Sequence, residues 1–349
     1  MEYTETLSDI IDSLKVEQTF DLIQKSEHIV ITTHLSPDGD ALGSSLALYH
    51  YLLAQGKNVK LIVPNSFPYF LKWMHGANEI IVYEYIPQVA EQLISKADLI
   101  FSLDYNTLKR IGKMGVWVEN ASAKKILIDH HLFPDSLFDV IISYPSISST
   151  SELIFRLLWQ GDKYDKVTRT EAECIYCGMM TDTGAFTYNS NNPEIFEIIS
   201  LLMRKGIDKD AIYSHVYNNF TQDRFRLLGF TLSQRMKIYP ELHTALIYLS
   251  KEDQKQFSFT KGDTEGFVNY PLSIKDIIFS TFIREDEELI KMSFRSHNSF
   301  PCNEFAAEFF NGGGHLNASG GEFYGSMNDA IDTFEKGIQV YAEKLKKSC

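Results

Sequence analysis

HIVITTHLSPDGDALGSSLALYHYLLAQG, residues 28–56, decides the fold. HIVITT (28–33) reads as a buried strand, and ALGSSLALYHYLLAQ (41–55) carries apolar residues at helical spacing, with Gly56 as a C-terminal stop. The same alternation continues outward. NVKLIV (58–63), ADLIFSL (97–103), KKILI (124–128) and FDVIIS (138–143) are further strands, with helices near 87–96, 149–160 and 169–180. These strands are continuous apolar runs rather than alternating ones, the mark of a sheet covered on both faces. The prediction is an α/β fold, a parallel sheet with helices on both faces.

A polar break, TYNSNNPE (187–194), ends this half, and residues 194–237 are helical and rich in Tyr, Phe and Arg, as a connector would be. A smaller α/β unit follows. Its strands are expected at LHTALIYLS (242–250), IIFSTFIR (277–284) and ELIKMSFRS (288–296), then a short helix over 303–310, a Gly-rich turn and a terminal helix from about 327. The expected division is a catalytic domain over 1–192, a helical connector over 193–238 and a substrate-binding domain over 239–349.

Composition narrows the function. The 349 residues include 44% hydrophobic and 23% charged side chains, which is ordinary for a globular protein and unlike a disordered or collagen-like chain. No apolar run reaches the ~20 residues of a membrane-spanning helix, and the acidic start MEYTETLSDIIDSLK lacks a signal-peptide layout. Four cysteines are too few for a disulfide framework, so a reducing cytoplasm and no membrane partner are expected. Cys174 and Cys177, on a helix face among apolar residues, are expected in the core. A net charge of −13 argues against coating long nucleic acid by counterion release. A small phosphate ligand can still bind where cations reverse the local sign.

Four segments share one layout, in which a buried element ends and Asp or His follows at once: THLSPDGDALGS (33–44), SLDYN (102–106), LIDHHLFPD (127–135) and MTDTGAF (180–186). In an open parallel sheet the carboxyl ends of the strands face one crevice. His34, Asp38, Asp40, Asp104, Asp129, His130 and His131 would be delivered there, while Asp182 would have to come from a helix end. So many carboxylates need divalent cations as compensation. Mixed imidazole and carboxylate ligands without cysteine suit Mn²⁺ or related metals better than Ca²⁺ or a structural zinc. Asp38 and Asp40, one residue apart on a tight loop, can reach two adjacent metals. Taken singly, each piece has an ordinary use: Pro37-Asp38-Gly39 makes a turn, Asp40 caps the next helix, and Asp104 or Asp182 ends an element. Asp129-His130-His131 directly after a buried strand has no common structural use, and the joint pattern carries the reading.

In the second half, NGGGHLNASGG (311–321) combines three glycines, whose backbone N–H groups can form an anion nest, with His315. Arg295, at the strand end SFRS, can hold a phosphate bidentately. The run is neither a dinucleotide fingerprint nor a P-loop.

In this order, HLSPDGDALGS, SLDYN, IDHH and TDTG resemble the four metal motifs of the DHH phosphoesterases, and SFRS followed by GGGHLNASGG resembles the DHHA1 signature. The resemblance runs from about Ile29 to Phe323, and size and motif order are most similar to the bacterial nanoRNase and 3′-phosphoadenosine 5′-phosphate phosphatase type. It implies His34, Asp38 and Asp104 around one metal and Asp40, Asp104, His130 and Asp182 around another, with Asp104 bridging. The two divalent cations would be Mn²⁺, with Mg²⁺ or Co²⁺ as alternatives. Asp129 would orient an imidazole and His131 would face the scissile phosphate. Arg295, the backbone of Gly312, Gly313 and Gly314, and His315 would anchor a terminal phosphate or nucleotide, and Arg110 matches a basic position that contacts substrate. Ser319 stands where relatives usually carry a second alanine, a small replacement that spares the turn.

The activity so implied is phosphate-ester hydrolysis by metal-activated water on short single-stranded RNA or DNA oligonucleotides and nucleoside bisphosphates. A terminal-phosphate pocket on one side and metals on the other would act as a ruler against long chains. Three rival readings have their own marks. A cyclic or linear dinucleotide phosphodiesterase would use the same centre. An inorganic pyrophosphatase would show a cationic cluster in place of GGGH, and a non-catalytic nucleotide-binding protein would lack metal ligands. A homodimer is an open option.

Overall fold

The computed structural model describes residues 7–348; residues 1–6, the start of the acidic N-terminal stretch, and residue 349 lie outside the described residues. Two compact units meet in the chain at Asn219 and Phe220.

The first unit runs α1 (Ser13–Lys25), β1 (His28–Thr32), α2 (Gly39–Ala54), β2 (Asn58–Val63), β3 (Ile81–Val82), α3 (Pro87–Ser95), β4 (Leu99–Leu103), α4 (Gly115–Asn120), β5 (Lys124–Asp129), β6 (Val140–Ser143), α5 (Thr150–Gln160), α6 (Arg169–Asp182), α7 (Pro193–Arg204) and α8 (Lys209–Tyr217). Its six strands form one parallel sheet in the order β3-β2-β1-β4-β5-β6. β1 is interior: Ile31 pairs with Leu61 on one side and with Phe101 on the other. The strand order reverses beside β1, the place where open sheets of this kind bind ligands.

Both faces of the sheet are covered, which is why its strands read as unbroken apolar runs. On one face Val30, Ile62, Ile100 and Leu127 pack with Ala90 and Ile94 of α3 and Val118 of α4. The alternate residues Ile29, Ile31, Phe101 and Ile126 are equally buried and point to the other face. There α2 and α6 pack so closely that a Cβ at Gly43 would lie 2.6 Å from the carbonyl of Cys174. Cys174 and Cys177 are buried and free, and burial drives the Cys177 thiol up to about 12.

One expectation is corrected at the start of α2. The helix is capped by Asp38, whose Oδ1 accepts from the amides of Asp40 and Ala41 at 3.0 Å each. Asp40 therefore lies within the first turn, and its carboxylate is released for another use.

The second unit runs α9 (Gln222–Gln234), β7 (Met236–Tyr239), β8 (Thr244–Leu249), α10 (Lys251–Gln256), β9 (Phe279–Glu285), β10 (Ile290–Ser296), α11 (Cys302–Phe309), β11 (Gly313–His315), β12 (Ala318–Phe323), α12 (Met327–Val340) and α13 (Ala342–Lys347). The mixed sheet has the order β11-β12-β10-β9-β8-β7, with β8 and β9 parallel and the other pairs antiparallel. Phe279, Phe294, Phe300, Phe305, Phe310 and Phe334 fill its core. Of the stretch read as a connector, α7 and α8 fall in the first unit and α9 in the second.

The Gly-rich turn is a second correction, because the run forms the hairpin β11–β12. A Cβ at Gly312 would sit 2.1 Å from the carbonyl oxygen of Gly320, and Gly314 has φ +141° with Ala318 O 2.6 Å from where its Cβ would be. The glycines are required first by this backbone approach. Among the described residues, no helix is long and apolar enough to cross a membrane.

Candidate metal centre

The ligand candidates of the first unit arrive from five elements. His34 and Asp38 follow β1, and Asp40 lies in the first turn of α2. Asp104 follows β4 with φ +63°, a left-handed backbone, and its amide donates to Ile128 O at 3.1 Å. Asp129 ends β5, His130 and His131 follow it, and Asp182 is the last residue of α6.

These groups meet. Three sets each place their ligand atoms within 4.8 Å of one another: His34, Asp38 and Asp104; Asp40, His130 and Asp182; Asp104, Asp129 and His131. Asp104 joins them. Its Oδ2 is 3.3 Å from His34 Nε2, and its Oδ1 is 3.6 Å from His130 Nε2. His34 Nε2 also lies 3.8 Å from Asp38 Oδ2, the oxygen not used in capping, and His130 Nε2 lies 3.4 Å from Asp182 Oδ2. Both rings are aimed through their other nitrogen. His34 Nδ1 bonds Leu35 O at 2.8 Å, and His130 Nδ1 bonds Ile147 O at 3.1 Å. Each Nε2 is thereby turned to the carboxylates.

The electrostatics show the strain of gathering these groups. Burial and the neighbouring charges of Asp104 and Asp182 push the Asp40 carboxyl well up. Burial alone would also raise Asp104, but the hydrogen bond from His34 and the charges of the imidazoles hold it well below the usual carboxylate range. Burial opposes protonation of His130, yet Asp182, Asp104 and Asp40 outweigh it and lift this ring to about 9. His131 goes the other way: burial lowers it despite its bond to Asp129. The donor set of imidazole nitrogens and carboxylate oxygens, anionic and largely buried, fits divalent cations that would relieve this repulsion.

Residues 28–179 match the model of the DHH family N-terminal domain, and residues 243–341 match that of the DHHA1 domain. A crystal structure of an exopolyphosphatase-related protein from Bacteroides fragilis is 54% identical, with a TM-score of 0.93, and is covered over 97% of this chain and 100% of its own. The chain belongs to the DHH family. Within that family it is 28% identical over 321 residues to the bifunctional oligoribonuclease and PAP phosphatase NrnA of Thermus thermophilus, spanning 92% of this chain and 91% of that protein. It is 25% identical over 297 residues to the protein of the same name from Bacillus subtilis, spanning 85% and 89%.

Two neighbours of the cluster lie outside the motifs of the DHH signature. Thr150 donates its amide to Asp40 Oδ2 at 2.7 Å and its hydroxyl to Asp104 Oδ1 at 3.0 Å, and the amide of Ser151 donates to Asp40 Oδ1 at 2.8 Å. The available signal was the polar run SSTSE (148–152) just after a buried strand, which reads as a helix start and nothing more. Arg110, in the 3₁₀ segment Leu108–Met114, accepts the amide of Leu35 on its carbonyl at 2.8 Å, and its positive charge opposes protonation of both His34 and His131.

In the DHHA1 unit, Arg295 of β10 lies opposite Ala318 of β12, and His315 of β11 also pairs with Ala318. Arg295 Nη1 donates to Phe294 O at 2.9 Å, and its Nε is buried with no hydrogen-bond partner among the described residues. The amide of Gly312 is spent on Ala306 O at 3.0 Å. Ser319 donates to the carbonyl of Cys302 at 2.8 Å, so its hydroxyl serves the hairpin's seat on α11.

Proposed function

We propose that this DHH protein is a two-metal phosphoesterase that hydrolyses short oligonucleotides and nucleoside bisphosphates such as 3′-phosphoadenosine 5′-phosphate. The observation that carries the reading is the Asp104 carboxylate, with one oxygen toward His34 and the other toward His130. A carboxylate so placed joins two ligand sets: His34 and Asp38 on one side, Asp40, His130 and Asp182 on the other. Mn²⁺ suits this mixture of donors, with Mg²⁺ and Co²⁺ as alternatives. Such a pair of cations supplies charge for the phosphoryl oxygens and an acidified water.

The chain's own groups do the rest. Asp129 holds His131 through the ring Nδ1 at 2.7 Å, which fixes the orientation of the imidazole that would face the scissile phosphate. Arg110 adds positive charge beside the same ring, where a phosphoryl group is anionic. Arg295, the backbone of Gly313 and Gly314, and His315 hold the substrate's terminal phosphate or nucleotide, whereas the Gly312 amide, bonded to Ala306 O, does not take part. Arg295 is suited to this, because a buried N–H without a partner is costly until an acceptor meets it. The names of the T. thermophilus and B. subtilis relatives support the same substrate classes.

The test is a substrate panel with Mn²⁺: a dinucleotide, a five-nucleotide RNA, a long RNA and a nucleoside bisphosphate. The short substrates and the bisphosphate are expected to be hydrolysed and the long RNA spared. Asp104→Ala and His130→Ala are expected to abolish turnover, and wild-type turnover in both would overturn the reading.

A further inference from the structure

The segment Ile147–Ser151 lies outside the four motifs, yet it touches three of the clustered side chains. Ile147 holds the His130 ring through its carbonyl, Thr150 and Ser151 give their amides to the two oxygens of Asp40, and the Thr150 hydroxyl bonds Asp104 Oδ1. The segment is clamped from behind. Glu152, buried, accepts from the Ser148 amide at 3.1 Å and from Arg156 Nε at 2.8 Å, and Arg156, also buried, continues to Glu194 at 2.7 Å.

We propose that Thr150 is a positioning residue for the metal centre, fixing the rotation of the Asp104 carboxylate so that Oδ2 is turned to His34 and Oδ1 to His130. Rotation of a carboxylate about its last bond is broad and roughly two-fold, so the side chain alone does not choose this orientation. Thr150 is fully buried and Asp104 nearly so, which leaves little room for water to replace the hydroxyl. A hydrogen bond to a carboxylate in such a place is among the stronger ones. The hydroxyl bonds the oxygen on the His130 side, and the His34 ring meets the other. The proposal rests on reading the cluster as a two-cation centre.

The test titrates Mn²⁺ alone into metal-free protein by calorimetry, with thermal melts of the same samples. Thr150→Val keeps the shape and the amide but removes the hydroxyl, and Thr150→Ser restores it. The wild type and Thr150→Ser are expected to bind two ions with similar affinity. Thr150→Val is expected to bind at least one of them about 10–100-fold more weakly, the usual effect of losing a group that orients a ligand, with its metal-free melting temperature close to wild type. Two ions bound to Thr150→Val at wild-type affinity would overturn the positioning role, whatever the activity. Equal weakening in Thr150→Val and Thr150→Ser would overturn it too, since packing rather than the hydroxyl would then matter. Should Thr150→Val fail to fold, Thr150→Ser against Thr150→Ala isolates the same hydroxyl. Failure of the wild type to bind Mn²⁺ would overturn the two-cation reading itself, and this inference with it.

Discussion

His131 is tied to Asp129 at two points: its amide donates to Oδ2 at 3.0 Å, and its ring Nδ1 meets Oδ1 at 2.7 Å. Asp129→Asn preserves the shape but offers an amide that can donate to Nδ1, exchanging the roles of the two ring nitrogens. We expect kcat on a dinucleotide to fall by about 10²–10⁴-fold, the range for losing a positioned acid–base group or enforcing the wrong tautomer. KM and the melting temperature should change little. Steady-state kinetics with a parallel melt distinguish this from unfolding.

Arg295→Ala separates anchoring from chemistry. Hydrogen bonds to charged groups contribute about 1.5–3 kcal/mol each, so KM for a substrate with a terminal phosphate should rise at least about tenfold. KM for a chromogenic phosphodiester without one should rise far less. Equal effects on both would remove Arg295 from the anchoring role.

Gly178 of α6 has no room for a side chain. A Cβ there would lie 1.9 Å from Ser151 Oγ and 2.8 Å from Asp40 Oδ1. Gly178→Ala should cost about 1–3 kcal/mol by overpacking, lower the melting temperature, and weaken Mn²⁺ binding by displacing Asp40. Gly229 in α9 has nothing among the described residues within 4 Å of where its Cβ would be, so Gly229→Ala is the control and should be neutral or slightly stabilising. Calorimetric melts and Mn²⁺ titrations of the pair check both.

Glu194 carries an acid-dependent part of the stability. Burial opposes its ionisation, but hydrogen bonds from Ser8 and from Arg156 outweigh that and hold its carboxyl below the ordinary value. The unfolded chain therefore binds this proton more readily than the folded one. The contribution is complete above the unfolded value of about 4.5 and is lost as pH falls through the folded one. The melting temperature of wild type should drop more steeply than that of Glu194→Gln below about pH 4.5. Parallel slopes would exclude Glu194 as a source of acid sensitivity.

Five of the six parallel strands were legible because both sheet faces are buried and leave unbroken apolar runs, as in Leu99–Leu103. β3 was not, since two residues carry no periodicity. Asp104 and the DHH segment were legible from their place directly after such runs. Asp38 and Asp40 were both seen, but which of them caps α2 depends on backbone angles that two acidic letters do not distinguish. Thr150 and Ser151 were hidden for a related reason. Ser149 does cap α5, accepting the Glu152 amide at 3.0 Å, so the same short polar run performs an ordinary task and also holds the carboxylates. Gly312 and Gly314 looked like parts of a turn because the strand that crowds them lies a few residues onward, at Gly320 and Gly321 for the first and at Ala318 and Ser319 for the second.

The clustered side chains are spread along the chain from His34 to Asp182, and only the finished sheet with its helices brings them together. During synthesis His34 emerges long before Asp182, so on the two-cation reading the ligand set is complete only after α6 has been made. The ions latch a completed fold instead of seeding one, and they lengthen its survival by mass action. Scarcity of metal would then lower the protein's stability as well as its turnover.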